Sequence, residues 1–152
     1  MQTFIIGMIS ETAKALDSKR LWKQCIESKQ ILKAISDSSY GWQNHPIVQM
    51  WRGHEGYLKF YLQIMLEEWL NRRFGEQLGE LCLDTDVEAL PVKPEWISDP
   101  EVINSHRANL YFKDPEHYKQ FKGEYDKANK DSKGKPEYVW VIEKLKELGG
   151  NE

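Results

Sequence analysis

The chain has 152 residues, 40% hydrophobic, 30% charged and 12% aromatic, which is enough for one domain with a sizeable core. No run approaches the ~18 apolar residues of a membrane span, so no membrane partner is expected. A formal net charge of −3 argues against a general duplex DNA binder and leaves room for a small anionic ligand, which needs only a few cations.

The start MQTFIIGMIS lacks the basic region of a secretory signal, and the default expectation is a cytoplasmic protein. Cys25 and Cys82 fit reduced thiols there. Neither has a neighbour at C-x-x-C or C-x-H spacing, so no metal site and no cofactor are expected.

Ser10-Glu11 offers a first helix start and Asp17-Ser18 a second, with a helix running to about Ile35. On that helix Leu21, Cys25, Leu32 and Ile35 form an apolar stripe. Arg20, Gln24 and Glu27 recur at i, i+4, i+7 on its flank, with Lys23 close behind. A polar, mixed-charge line beside a core edge is either a solvated helix shoulder or the wall of a pocket.

Residues Ser36 to Asn44 read as a loop around Gly41. His45-Pro46 opens a second long helix, with apolar or aromatic residues sustained to about Phe74 and His54 on the same stripe. Gly53 and Gly56 flank His54 and weaken helix propensity locally. A further helical piece is expected over Gly75 to Leu83, then an irregular crossing from Asp84 to Glu95. Ser98-Asp99-Pro100-Glu101 is an N-terminal signature, and Asp114-Pro115-Glu116 repeats the device for a short helix to about Phe121. The charged stretch from about 122 to 136 reads as a flexible loop inside a single domain spanning 1–152. A last amphipathic helix is expected from Val141 to Leu148. With no strand-like alternation of any length, the class is all-α.

No phosphate loop, dinucleotide fingerprint or zinc-protease motif is present. His54, on an aromatic-rich face, is either a core histidine or a site residue. Ser105, His106 and Arg107 at a helix start suit a phosphate, or else form a solvated turn in which Arg107 pairs with Glu101 or Asp114. Trp42, Trp51, Tyr57 and Trp140 either stack on a base or pack in the core.

Several motifs carry a resemblance to a family of small bacterial and phage proteins. They are L-D-x-x-R-L-x-K-Q-x-x-E (Leu16 to Glu27), Y-G-W-x-x-H-P (Tyr40 to Pro46) and M-W-R-G-x-E (Met50 to Glu55). S-H-R-x-N-L (Ser105 to Leu110), K-D-P-E-H-Y (Lys113 to Tyr118) and Y-V-W (Tyr138 to Trp140) complete them. That family is similar in turn to phage pyrimidine-dimer DNA glycosylases of the endonuclease V type, through Ile9-Ser10-Glu11 and through Gly53-His54 followed by Tyr61. The resemblance implies a compact, all-α, endonuclease V-like fold. It also implies an imine-forming N-terminal α-amine, exposed by methionine removal, and an essential carboxylate on the first long helix. Here the chain departs from the pattern. It begins Met1-Gln2, where removal of methionine is not expected, and Lys23-Gln24 align where the glycosylases carry Arg-Glu. Glu27 lies one turn on.

These departures favour a binding site over a catalytic one. Arg20, Lys23 and Arg107 would supply positive charge, and Gln24 and Asn109 base-edge donors and acceptors. Glu27, His45, His54, Ser105 and His106 would join the aromatics in the lining. The favoured expectation is a non-catalytic nucleotide-binding protein. In a phage it would be an oligomeric sponge for cyclic dinucleotide or other cyclic oligonucleotide immune signals. The second reading is a DNA glycosylase/AP lyase with a relocated carboxylate, with DNA as partner. The third is a structural or interaction protein.

Overall fold

The computed structural model describes residues 1–74 and 92–142. Among these residues the protein is all-α, with helices and turns and one isolated bridge, Lys130 to Pro136. The chain divides into two compact units, Met1–Phe4 with Met8–Pro94, and Ile5–Gly7 with Glu95–Glu152.

In the first unit α1 (Ile9–Ala15) is followed closely by α2 (Ser18–Ser36). Asp17 caps α2 by accepting the Arg20 N–H at 3.3 Å, and its side chain pairs with the Arg20 guanidinium. The buried positions of α2 are Leu21, Gln24, Cys25, Ser28, Ile31 and Ala34. They follow the three-and-four spacing of one face, but that face includes two polar residues. Leu32 and Ile35 are only half-buried.

The second long helix is broken in two, as α3 (Pro46–Trp51) and α4 (Glu55–Phe74). The break falls at Gly53, whose φ of 84° lies in the left-handed region that ends helices. Pro46 opens α3, with the His45 Nδ1 accepting the Ile47 N–H as its cap. α4 packs on α2, with the Tyr61 hydroxyl on Gln24, the Trp69 ring 4.9 Å from Trp22 and Arg72 near Ser18, so the two run antiparallel. Arg72, near the end of α4, reaches the carbonyl of Leu16 just before α2.

In the second unit α5 (Pro100–Lys113) starts at Asp99, whose carboxylate accepts the Glu101 N–H at 2.9 Å. A 3-10 turn over Glu95–Ser98 precedes it and buries Trp96 and Ile97. After Asp114 the chain makes a second 3-10 turn, Lys119–Phe121, where a short helix is expected, and continues into α6 (Lys122–Lys127). The first part of the charged 122–136 stretch is thus helical. The rest closes a turn in which the Asp131 carboxylate accepts from the backbone of Lys133 and Lys135, both at 2.9 Å. The Tyr125 hydroxyl fastens it by donating to the Gly134 carbonyl. The helix expected over Gly75 to Leu83, most of the irregular crossing expected for 84–95 and most of the helix expected for 141–148 lie outside the described residues.

Candidate functional site

Gln24 and Glu27 are three residues apart on α2, so their side chains project from neighbouring turns. Residues Met1–Phe4 belong to the same unit, and both side chains are used on them. The Gln2 backbone N–H donates to Glu27 Oε2 at 3.1 Å, and the Phe4 N–H donates to Gln24 Oε1 at 2.8 Å. The Tyr61 hydroxyl, on α4, lies 2.7 Å from Gln24 Oε1 and 2.9 Å from the Phe4 carbonyl, and donates to both. Trp51 Nε1 donates to Thr3 Oγ1 at 3.0 Å. The N-terminal residues are thereby fixed by three helices.

The two α2 residues differ in access. Gln24 is 1% exposed, while Glu27 is half-buried. Burial pushes the Tyr61 phenol well above its ordinary range, and the nearby Cys25 and Glu27 push it further, so it stays a protonated donor. Three buried polar atoms in this unit have no hydrogen-bond partner among the described residues: Gln2 Nε2, Ser28 Oγ and His54 Nδ1. Ser28 lies one turn beyond Gln24 on the same face of α2. His54 precedes α4 on the stripe that carries Leu58 and Tyr61. A buried unpaired polar atom costs about 1–3 kcal/mol, so three in one unit ask for a reason.

The remaining expected residues of this unit are spread along it. Arg20 is paired with Asp17 at 3.2 Å, and Lys23 is exposed. The Trp51 ring is fully buried, 6.2 Å from Tyr61. Tyr57 is half-buried beside Phe60, and burial raises its phenol. Burial lowers the His45 imidazole, and the positive charge of the chain's α-amine lowers it further. Trp42 is exposed, with the His45 ring edge-on at 5.7 Å.

The model of the pyrimidine dimer DNA glycosylase family matches residues 1–78, the part of the chain that carries α1 to α4. The chain belongs to that family. The all-α fold that the resemblance implies is what the described residues form. Neither a curated protein nor a solved structure matches the chain.

In this glycosylase-family chain the second unit holds the other five expected residues. Ser105 Oγ donates to the Val102 carbonyl at 2.8 Å and accepts the Val139 N–H at 3.2 Å. His106 is 1% exposed and its Nδ1 accepts the Ile5 N–H at 2.9 Å. Burial lowers its pKa to about 3, so the ring is neutral and offers no charge to a phosphate. Arg107 spends Nε and Nη2 on the Ile6 carbonyl, at 3.1 and 2.7 Å, and lies 5.5 Å over the Phe121 ring. Asn109 is buried and donates to the Ser105 carbonyl. Trp140 is half-buried against Tyr138.

Ser105 and Trp140 line a cavity of about 620 Å³ that also carries the carboxylates of Glu101, Glu124 and Glu137. Three carboxylates against Lys127 make this an acidic wall, which repels phosphate. Four of the five residues therefore serve internal hydrogen bonds. Nor do Ser105, His106 and Arg107 stand at a helix start: they are the sixth to eighth residues of α5, past the free N–H groups of its first turn, and the partners Ile5 and Ile6 lie 101 residues away.

Thr3, Ser28 and Tyr61 were not singled out as site residues from the sequence. Ser28 had a readable signal, its four-residue spacing from Gln24. Tyr61 stood on the apolar stripe and Thr3 carried no signal. Among the described residues no group of three or more His, Cys, Asp or Glu could hold a metal ion, and no helix is long and apolar enough to cross a membrane.

Proposed function

We propose that this chain is a DNA glycosylase/AP lyase that uses the amine of its N-terminal residue as nucleophile and Glu27 as the catalytic carboxylate. The observation that carries the reading is the 3.1 Å contact between the Gln2 nitrogen and Glu27 Oε2. Once Met1 is removed, that nitrogen is a free α-amine already within hydrogen-bond reach of a half-buried carboxylate. The relocated acid is then Glu27, one turn beyond the position at which the resembling enzymes are aligned. Gln24 keeps a different task, holding Phe4 and Tyr61.

In this reading the amine attacks C1′ of the damaged deoxynucleotide. The new N–C1′ bond forms as the bond from C1′ to the base breaks, and the base leaves with the electron pair and takes up a proton. The nitrogen lone pair then expels O4′, which takes up a proton to become a hydroxyl, and the ring opens to a cationic imine. The Glu27 carboxylate stabilises that charge and removes the C2′ proton, which expels the 3′ phosphate by elimination. The family description supports a pyrimidine dimer as the lesion.

The sequestration reading, with a nucleotide or cyclic dinucleotide held by an oligomer, needs cations facing a ligand. Arg107 is committed to Ile6, His106 is neutral, and the cavity beside them is acidic. The geometry supports it less.

Borohydride trapping on abasic-site DNA tests the proposal, together with mass analysis of the protein's N-terminus. The expected result is a covalent adduct whose N-terminal peptide begins at Gln2. Removal of methionine before a side chain as large as Gln runs against the usual preference. A protein that keeps Met1 and traps nothing sinks the proposal.

A further inference from the structure

Trp42 is the only non-glycine residue with positive φ among the described residues, at 74°. For a bulky side chain that conformation costs roughly 1–3 kcal/mol. The neighbouring Gly41 could take it without penalty and does not. Nor is the cost offset by burial. Trp42 is 54% exposed, more than any other described tryptophan.

The loop is built to hold this arrangement. The Gln43 side-chain amide donates to the carbonyls of Ala34, Asp37 and Tyr40, at 2.7, 2.9 and 2.9 Å. Arg52 Nη2 in turn donates to Gln43 Oε1 at 2.8 Å. The Trp42 carbonyl accepts the His45 N–H at 3.0 Å, and the Asp37 carboxylate ties Ser39. Strain that a network of this kind maintains at an exposed aromatic points to function.

We infer that Trp42 is a wedge that enters duplex DNA beside the lesion and stacks on an unpaired base. The inference rests on the reading above and adds the step that reading lacks. A glycosylase cannot reach C1′ chemistry inside an intact stack without unstacking, which costs a few kcal/mol. Apolar side chains inserted between base steps perform that task, and stacking on an aromatic ring recovers about 1–3 kcal/mol per base. The position fits. His45, in edge contact with Trp42, is near enough to the chain's α-amine to feel its charge. Lys33, 4.8 Å over the Tyr40 ring, and Arg52 bring positive charge to the loop, against Asp37.

The test uses the full chain as wild type, Trp42→Ala and Trp42→Phe, with thermal melting to establish that each is folded. A Glu27→Gln background allows binding without reaction. The probe is a duplex with 2-aminopurine opposite an abasic site, and the same abasic strand alone. Wild type should quench 2-aminopurine fluorescence on binding, because stacking on the indole quenches it. Trp42→Ala should abolish the quenching and weaken duplex binding on the order of tenfold or more, and Trp42→Phe should keep most of both. Trapping on the single strand, which needs no unstacking, should fall less in Trp42→Ala than trapping on the duplex. Unaltered duplex binding and fluorescence in Trp42→Ala overturn the inference and leave Trp42 to a different partner, such as a protein. Fluorescence that depends on Trp42 without any trapping overturns the glycosylase reading alone. A wild type that binds neither DNA overturns both.

Discussion

Residues Met1–Phe4 and Ile5–Gly7 follow one another in the chain, yet they are held by side chains of different character. In the first unit Gln2 meets the half-buried carboxylate of Glu27, and the polar atoms Gln2 Nε2, Ser28 Oγ and His54 Nδ1 lack partners among the described residues. In the second, the Ile5 N–H meets His106 Nδ1 and the Ile6 carbonyl meets Arg107 Nε and Nη2, while Arg107 Nη1 lies 4.0 Å from Glu124. Both units bury polar side chains against an extended segment. The second unit has acids of its own and one buried atom, Asn109 Oδ1, without a partner among the described residues, but only in the first does a carboxylate accept from the backbone of the segment. That difference, and not the mere presence of His, Arg or Glu, separates a place where chemistry can occur from a fastening.

The largest effect that would break this comparison belongs to Glu27. Glu27→Gln should reduce the borohydride adduct at least about a hundredfold, the usual contribution of a general acid or base. The double variant Glu27→Gln with Gln24→Glu places the carboxylate where the alignment wants it. Its adduct yield should stay at the level of the single variant. Recovery of activity there would move the site to position 24.

Gln24→Ala should act on stability. It removes the Gln24 Oε1 to which the buried Phe4 N–H donates and one of the two acceptors near the Tyr61 hydroxyl. Denaturant unfolding should show a loss of roughly 2–4 kcal/mol. A loss below about 0.5 kcal/mol would mean that Gln24 does not hold the segment.

How much of this was legible in the sequence depends on the range of the interaction. The start of α2 at Asp17 and of α5 at Asp99 follow from local capping, and both were readable. So was the flank on which Gln24 and Glu27 lie. Its inward side was not, because what covers Gln24 is Phe4 and Tyr61, 20 and 37 residues away. Ser105-His106-Arg107 misled for the same reason. Arg and His at a helix start would suit phosphate by local rules, but α5 begins five residues earlier, at Pro100, and nothing local announces partners 101 residues distant. The helix break at Gly53 had a local signal, but helical periodicity continued across it and hid the turn.

His106 gives the second unit a pH response. Its folded pKa of about 3 lies below the ordinary 6.5, so the unfolded chain binds a proton that the folded chain refuses. The stabilisation is complete above pH 6.5 and is lost as pH falls from there toward 3. His106→Gln keeps an acceptor for the Ile5 N–H without titrating. Between pH 7 and 5, wild type should lose about 2 kcal/mol more than this variant. Parallel pH profiles would mean that the imidazole is not held neutral.

The smallest effect concerns Arg72, which is exposed by residue and yet holds backbone. Its Nη1 donates to the Leu16 carbonyl at 2.6 Å, and Nη2 to those of Ala13 and Lys14 at 2.9 and 3.0 Å. These are carbonyls that the end of α1 leaves unpaired, and the guanidinium fork gathers them. Nε meanwhile pairs with Glu68 at 2.8 Å. A lysine ammonium is a point donor and cannot span the set, so Arg72→Lys should cost about 1 kcal/mol in thermal or denaturant unfolding. Because these contacts fasten α1 and touch none of the residues around Gln2, adduct formation by the folded variant should be unchanged. A variant of full stability with reduced trapping would place Arg72 with Glu27 in the chemistry, and the division between fastening and reacting groups would have to be redrawn inside the first unit.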